Sequence, residues 1–361
     1  MPSSRALCGR AKATAFAAAL AVPSVWASRA GAQQQPQGFA VERFYPSAPG
    51  GGWLAMDTLD MHGEVGGAVA LTGGYAYNPL VVTDGVRRIG VVTDQAFAAV
   101  AAAITYDRYR FYINFSHPLV ISGTGGLVGA YPFTAPYVDA GKTPDLITDV
   151  RIGYDVRLVG HSDGAFRLGI GAQLYLPNGD RADYDTDDTF RAILRVLFAG
   201  DVGHYTYAGQ LGWHIRPLDD SPTPGSPQGS ELVFGAAAGP RLPIGCGGTH
   251  AIVVGPEIYG ETAIQSFFGS NTTGLEALLS GRFEGTADDG SQLRIKLGIG
   301  GGLSAHFGAP EFRLVAGIEL FDHNTDRDKD GVSDSRDGCP DTPGVKTKDP
   351  KTNGCPASQE P

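Results

Sequence analysis

An alternation of apolar and polar residues recurs along most of this chain and constrains the fold more than any other feature. In 146–158 the even-numbered positions are mostly apolar, whereas the other face carries charges such as Asp149 and Arg151. A period of two is that of a β-strand whose faces differ in polarity. The pattern returns in 166–176, 205–215 and 293–307. The sequence therefore predicts an all-β protein.

The alternating stretches are longer than strands of soluble proteins, which average about 5–6 residues. Their polar faces carry charges far from the strand ends: Arg151, Arg157, Arg167, Arg191, Arg195, Arg282, Arg294 and Arg313, with Asp149, Asp155, Glu276, Glu284 and Glu319. A membrane barrel with a wet interior accommodates such charges, whereas a sandwich core does not. They either line a narrow pore or pair with one another to fill the lumen, and small barrels favour filling.

Twelve candidate strands close the predicted barrel: 61–77, 87–106, 108–116, 146–160, 164–178, 189–202, 204–218, 230–245, 249–268, 272–287, 291–307 and 310–321. Tight turns alternate with longer connections, of which 117–145 is the longest and is expected to form an ordered lid or plug. Outer-membrane barrels have short periplasmic turns and long outer loops. An even strand count then puts both chain termini on the periplasmic side.

Residues 1–32 have the composition of a secretory signal peptide. Arg5, Arg10 and Lys12 precede the apolar run 13–22, and Ala30-Gly31-Ala32 fits a cleavage site. No later run approaches the roughly 18 apolar residues of a membrane helix, so a membrane role requires strands. The predicted regions after the signal are a lead-in at 33–56, a barrel at 57–322 and a C-terminal segment at 323–361. The net charge of −10 argues against nucleic-acid partners.

The C-terminal segment contains the spacing of a calcium loop. Aspartates stand at positions 1, 3, 5, 9 and 12 of the stretch 326–337, and Gly331 occupies position 6. Calcium takes hard oxygen ligands, and the position-7 residue supplies its backbone carbonyl. The predicted Ca²⁺ ligands are Asp326, Asp328, Asp330, Val332, Asp334 and Asp337.

The cysteines support an exported protein. Cys339 and Cys355 flank a short loop, and oxidising compartments favour a disulfide between such a pair. The remaining cysteine after the signal peptide, Cys246, lies in a sequence that predicts a turn. An unpaired thiol without a role is the simpler interpretation of this residue.

The calcium loop, Cys339-Pro340 and Asn353-Gly354-Cys355-Pro356 together resemble a thrombospondin type 3 repeat. Such repeats link barrel and peptidoglycan-binding domain in many proteins of the outer membrane protein A (OmpA) family. The segments 41–47 and 321–324 are similar to myxobacterial members. The resemblance implies an outer-membrane protein in contact with lipid, its C-terminus in the periplasm, with peptidoglycan or periplasmic proteins as candidate partners. No peptidoglycan-binding domain is visible before Pro361.

Three functions follow from these features. The main prediction is a structural outer-membrane barrel with a periplasmic calcium-binding linker, and the alternative is a small-solute porin. A calcium-dependent outer-membrane enzyme is less well supported, because Asn114, Ser116 and His117 lack the surrounding phospholipase motif. The adjacent His161, Ser162 and Asp163 rarely form a working triad, since triad groups must converge in space. No enzyme activity is predicted.

Overall fold

The computed structural model describes residues 38–61, 65–129, 131–139, 147–162, 164–218, 227–244, 250–286, 291–304, 306–322, 328, 330, 332 and 337–357. The predicted signal peptide 1–32 and Cys246 lie outside these residues. Among the described residues only two short 3-10 segments, Arg181–Asp183 and Ile264–Ser266, are helical, and neither has the length or apolarity needed to cross a membrane.

Long strands make up most of the described chain, and they coincide with the alternating stretches. The long strands are β1 Gly66–Thr83, β2 Arg88–Tyr106, β3 Tyr109–Ser122, β7 Val150–Val159, β8 Arg167–Leu176, β9 Arg191–Val202, β10 Tyr205–Ile215, β11 Glu231–Ile244, β12 His250–Ala263, β13 Thr273–Thr286, β14 Gln292–Gly302 and β15 Phe312–Asp322. Three short strands interrupt the series: β4 Gly126–Val128, β5 Tyr131–Phe133 and β6 Tyr137–Asp139.

The twelve long strands close into one antiparallel barrel. Each pairs with the next long strand along the chain, and the last, β15, pairs with β1 from Gly67↔Asp322 to Tyr77↔Phe312. Closure leaves no free sheet edge, which a spanning β-structure requires because lipid offers no hydrogen bonds to the backbone. The predicted all-β barrel is confirmed.

Side chains alternate between the outside and the lumen as the period of two requires. On β9, Leu194 and Val196 are 52% and 45% exposed, whereas their neighbours Arg195 and Leu197 are buried. An apolar outer surface with charged groups inside is the inverse of a soluble barrel. This distribution is that of a transmembrane β-barrel.

Two features of the first hairpins differ from the prediction. Strand β1 begins at Gly66 rather than at residue 61, and it continues past residue 77 to Thr83. Asn78 adopts the left-handed conformation (φ 53°), and the pairing with β2 shifts register between Tyr77 and Leu80. A bulge therefore absorbs the Asn-Pro pair that otherwise indicates the end of a strand.

The long connection after β3 is ordered where the structure describes it. Strand β6 pairs with the end of β3, and β4 pairs with β5 to form a small hairpin. Val128, Phe133 and Val138 are buried in one cluster with Phe39 and Val41. The described part of this connection packs against residues 39–41 at the end of the barrel that carries the longer connections (the long-loop end).

Candidate functional site

The N-terminal residues 38–61, here called the plug segment, run through the barrel lumen from one end to the other. At the long-loop end, Val41 donates its N–H to the carbonyl of Tyr184. At the opposite, short-turn end, the guanidinium of Arg157 donates to the carbonyls of Leu59 and Met61. The described chain therefore starts at the long-loop end. Strand β1 itself begins at the short-turn end, with Gly66 opposite Thr105, because the plug segment traverses the lumen first. The N-terminus lies outside the described residues, so its predicted side stays a prediction.

Charged side chains of the plug segment pair with charges of the barrel wall. Asp57 is 2.9 Å from both Arg110 and Arg195, and Glu42 is 2.8 Å from Arg313. A fourth pair joins Asp60 to Arg294 at 3.1 Å. These pairs reach β3, β9, β14 and β15, so the plug segment is fixed to several sides of the barrel.

Backbone groups of the plug segment are also satisfied by wall side chains. The N–H groups of Leu54 and Ala55 each donate to one carboxylate oxygen of Glu257 at 2.8 Å. The ammonium of Lys296 donates to the carbonyl of Trp53 at 2.9 Å. Such contacts replace the secondary structure that the segment lacks, since buried backbone groups need partners.

Small wall residues make room for large plug side chains. Phe44, Trp53, Leu54 and Met56 are at most 3% exposed and lie in one buried cluster with wall residues. The wall members of that cluster are Phe97, Ala99, Ala199, Ala208, Ala237, Val253, Tyr259, Leu278 and Val315. A Cβ added to Gly298 would lie 2.3 Å from Leu54 Cδ1. These plug side chains are thus packed against the wall.

Asp187 holds the start of the plug segment at the long-loop end. Its Oδ1 accepts from the backbone N–H of Ala40 at 2.8 Å, and its carboxylate also accepts two hydrogen bonds from Arg216. Burial alone would raise the pKa of Asp187, but the guanidinium groups of Arg216 and Arg191 outweigh burial and keep that pKa well below its ordinary value.

The charges that the sequence assigns to the polar faces all point into the barrel, where most of them pair. Each is buried except Glu284, which is 13% exposed. The wall pairs are Arg110–Asp155, Arg191–Asp149, Arg195–Asp155, Arg282–Glu284, Lys296–Glu319 and Arg313–Glu276. The sequence left two interpretations of these charges, a narrow pore or a lumen filled by ion pairs. The arrangement matches the second, and the plug segment contributes further ion pairs to it.

Sequence reasoning missed the plug residues Glu42, Arg43, Asp57 and Asp60, because 33–56 was interpreted as a lead-in and residue 57 onward as part of the barrel. One signal was available. The inner face of β2 is formed largely by alanines, 2–4% exposed, at Ala99, Ala101 and Ala103. Side chains this small leave space in the lumen that another part of the chain must fill.

The C-terminal segment brings three of the predicted calcium ligands together. Carboxylate oxygens of Asp328, Asp330 and Asp337 lie within 4.8 Å of one another. Asp337 Oδ2 is buried and has no hydrogen-bond partner among the described residues, and such an oxygen fits a bound cation. Val332 is described, but Asp326 and Asp334 lie outside the described residues.

The predicted disulfide is confirmed, since Cys339 and Cys355 are bonded, with their Cα atoms 5.0 Å apart. Asp330 connects the aspartate cluster to this stapled part, because its Oδ2 accepts from the N–H of Gly344 at 2.9 Å. A backbone hydrogen bond lies next to the disulfide, since the N–H of Val345 donates to the carbonyl of Cys355.

The residues considered for an enzyme lie on β3 and in the turn after β7. Asn114 is buried on the lumen side of β3, and Ser116 accepts the Thr148 N–H through its carbonyl. Ser162 uses its backbone carbonyl to accept from Arg167. Asp163 lies outside the described residues.

Solved structures similar to this chain include outer-membrane channels and porins. An outer-membrane channel from Pseudomonas putida F1 aligns with a TM-score of 0.42 and 14% identity, covering 72% of this chain and 96% of that one. The NanC porin gives 0.40 and 8%, covering 70% and 98%. The CymD monoaromatic hydrocarbon channel gives 0.37 and 10%, covering 74% and 90%. Likenesses of this degree carry no argument about function, and the barrel rests on the strand pairing described above.

No protein-family model matches the chain, and no curated protein matches it. The class that the fold defines is a transmembrane antiparallel β-barrel with an internal plug segment and a disulfide-stapled C-terminal segment.

Proposed function

We propose that this protein is an outer-membrane barrel of the channel class whose conduit is closed by its own plug segment. The observation that carries the proposal is the passage of residues 38–61 through the lumen. The segment has no regular strand or helix, and ion pairs and side-chain hydrogen bonds attach it to the wall. Contacts of this kind can be exchanged for water, so the segment can leave without unfolding the barrel.

The membrane location is supported by the outer surface. Large apolar side chains are about half exposed on strands all around the barrel, including Leu71, Val100, Leu211, Leu279 and Leu297. In water, a patch of this extent would drive association, whereas in lipid it is the solvated face. The short-turn end is assigned to the periplasm by analogy with outer-membrane barrels, and the C-terminal segment begins there, after β15.

A second candidate is the structural barrel that the sequence first suggests, with a permanently filled lumen. The burial of Trp53, Leu54 and Met56 favours it, because moving these side chains into water costs roughly 1.5–3 kcal/mol each. In this candidate the OmpA-type role, including contact with peptidoglycan or periplasmic proteins through the C-terminal segment, stays a prediction.

Single-channel recording in planar bilayers separates the two candidates. We expect the full mature chain to be mostly closed with occasional openings, and a variant lacking residues 40–56 to conduct steadily. Heat-modifiable migration on gels confirms that the variant folds. If the folded deletion variant conducts no more than the full chain, the lumen is closed by the wall itself and the channel proposal fails.

The proposal includes a structural Ca²⁺ ion in the loop 326–337. Three carboxylates that converge within 4.8 Å repel one another unless a cation lies between them. Asp328, Asp330 and Asp337 would supply oxygen ligands, and the ion would stiffen the segment next to the disulfide. Calorimetric titration of the folded protein with Ca²⁺ tests this part, and the absence of saturable binding refutes it.

A further inference from the structure

A second group of metal-ligand side chains lies inside the barrel near the long-loop end. His214 on β10, Glu231 on β11 and Glu261 on β12 are all at most 5% exposed, and one ligand atom from each lies within 4.8 Å of the others. Strand register explains the grouping. His214 is directly opposite Glu231, and Glu261 is opposite Val233, two residues further along β11. The three side chains therefore share one patch of the inner wall.

The distances within the group suit a small divalent ion. His214 Nδ1 is 3.3 Å from Glu261 Oε2 and 3.6 Å from Glu231 Oε2. Ligands about 2.0–2.1 Å from a tetrahedral zinc ion lie about 3.4 Å from one another. An imidazole nitrogen and carboxylate oxygens are both among the ligand types that zinc takes in proteins.

A small cavity and two buried atoms that could act as ligands lie beside the group. A cavity of about 10 Å³, close to the volume that one water requires, is lined by Glu231, Glu261 and His306. Glu261 Oε1 is buried without a hydrogen-bond partner among the described residues, and so is His306 Nε2. A metal-bound water in this cavity would meet both atoms.

At present Arg43 of the plug segment supplies the positive charge at this patch. Its Nε lies 3.2 Å from Glu261 Oε2, and its Nη2 lies 3.6 Å from Glu231 Oε1. Arg216 also approaches Glu231, at 3.4 Å. A divalent ion between the two glutamates would take over the oxygen that Arg43 contacts and would repel its guanidinium.

We propose that His214, Glu231 and Glu261 form a binding site for a divalent transition-metal ion of the zinc type, and that this ion competes with Arg43 of the plug segment. The site itself is independent of conduction. Its consequence for the channel rests on the proposed function, because metal binding would release one of the ion pairs that keep the plug segment in place.

The test is calorimetric titration of the folded, full mature chain with Zn²⁺ in detergent. All proteins carry Asp328→Asn and Asp330→Asn, which removes two of the three converging C-terminal carboxylates and so weakens that segment as a competing site. We expect one saturable site whose affinity falls more than about tenfold in His214→Ala and in Glu261→Gln. Arg43→Gln should strengthen binding, by about tenfold, because it removes a competing cation.

Lys296→Gln is the matched control, since Lys296 is another buried lumen cation that contacts the plug segment but not this group. It should leave the Zn²⁺ affinity unchanged. Absence of saturable binding, or affinities that are equal in the parent and in both His214→Ala and Glu261→Gln, would overturn the site. If Lys296→Gln raises the Zn²⁺ affinity as much as Arg43→Gln does, Arg43 does not compete with the ion. Loosening of the plug segment alone would then explain both increases. Gel migration monitors folding, and conductance does not enter the result.

Discussion

Asp57 Oδ1 lies 2.9 Å from Arg110 Nη2, and both side chains are almost completely buried. This contact joins the plug segment to the wall strand β3 at the short-turn half of the lumen. Arg195 contacts the other oxygen of Asp57, also at 2.9 Å, so one carboxylate bridges two guanidinium groups. A segment without strand pairing is thereby fixed at one height in the barrel.

Replacing Asp57 with Asn should loosen the plug segment. Breaking a buried ion pair by removing one partner costs about 3–5 kcal/mol, and Asp155 remains beside both arginines, so the lower end of this range is expected. The measurement is the frequency of channel openings together with the midpoint of thermal unfolding. Asp107→Asn is the control, because Asp107 pairs with Arg108 at an exposed turn. Equal opening frequencies in the two variants would contradict the role of Asp57 as an anchor.

A larger residue at position 298 should push the plug segment away from the wall. In Gly298→Val the first added carbon would lie 2.3 Å from Leu54 Cδ1, and overpacking of this kind costs about 1–3 kcal/mol. We expect more frequent openings while the barrel stays folded. Gly67→Val is the matched control, since a Cβ at Gly67 meets no atom within 4 Å. If conductance in the two variants is the same, Leu54 is not held by contact with β14.

The barrel could be predicted from sequence because each strand carries its own evidence. Charges such as Asp149 and Arg151 alternate with apolar residues, and this local period assigns every side chain to lipid or lumen. The end of β1 was harder to place. Asn78 and Pro79 indicate a turn, but the pairing of β1 with its neighbours carries the strand through a bulge.

The plug segment could not be predicted in the same way, because no local pattern encodes it. Trp53 and Met56 are buried among wall residues of β2 and other strands, several of them alanine or glycine, that lie far away in sequence. The Glu42–Arg313 pair joins residues 271 positions apart. Likewise, His214, Glu231 and Glu261 meet only through strand register.

Asp337→Asn should weaken Ca²⁺ binding by the C-terminal loop. Its Oδ1 accepts from the N–H of Cys339, whereas its Oδ2 is free for a cation among the described residues. Loss of one carboxylate ligand should lower the affinity more than about tenfold in a calorimetric titration. Asp349→Asn is the control, because Asp349 caps an exposed turn in the same segment and is not one of the converging carboxylates. Unchanged Ca²⁺ affinity in Asp337→Asn would exclude it as a ligand.

Moderate acid should leave the plug segment in place at its long-loop end. The folded pKa of Asp187 is depressed by Arg216 and Arg191 despite burial. Its stabilising contribution is therefore present above the ordinary aspartate pKa, about 3.9, and is lost only as the pH falls through the lower folded pKa. We expect the closed state to persist from pH 7.5 to about pH 4.5, measured as opening frequency across that range.

Asp187→Asn should open more often throughout it, because the charge that holds the two arginines is absent at every pH. Asp188→Asn, at an exposed neighbouring position, should behave as the parent protein does. A parent channel that opens progressively between pH 7.5 and pH 4.5 would show that groups other than Asp187 control this end of the plug segment.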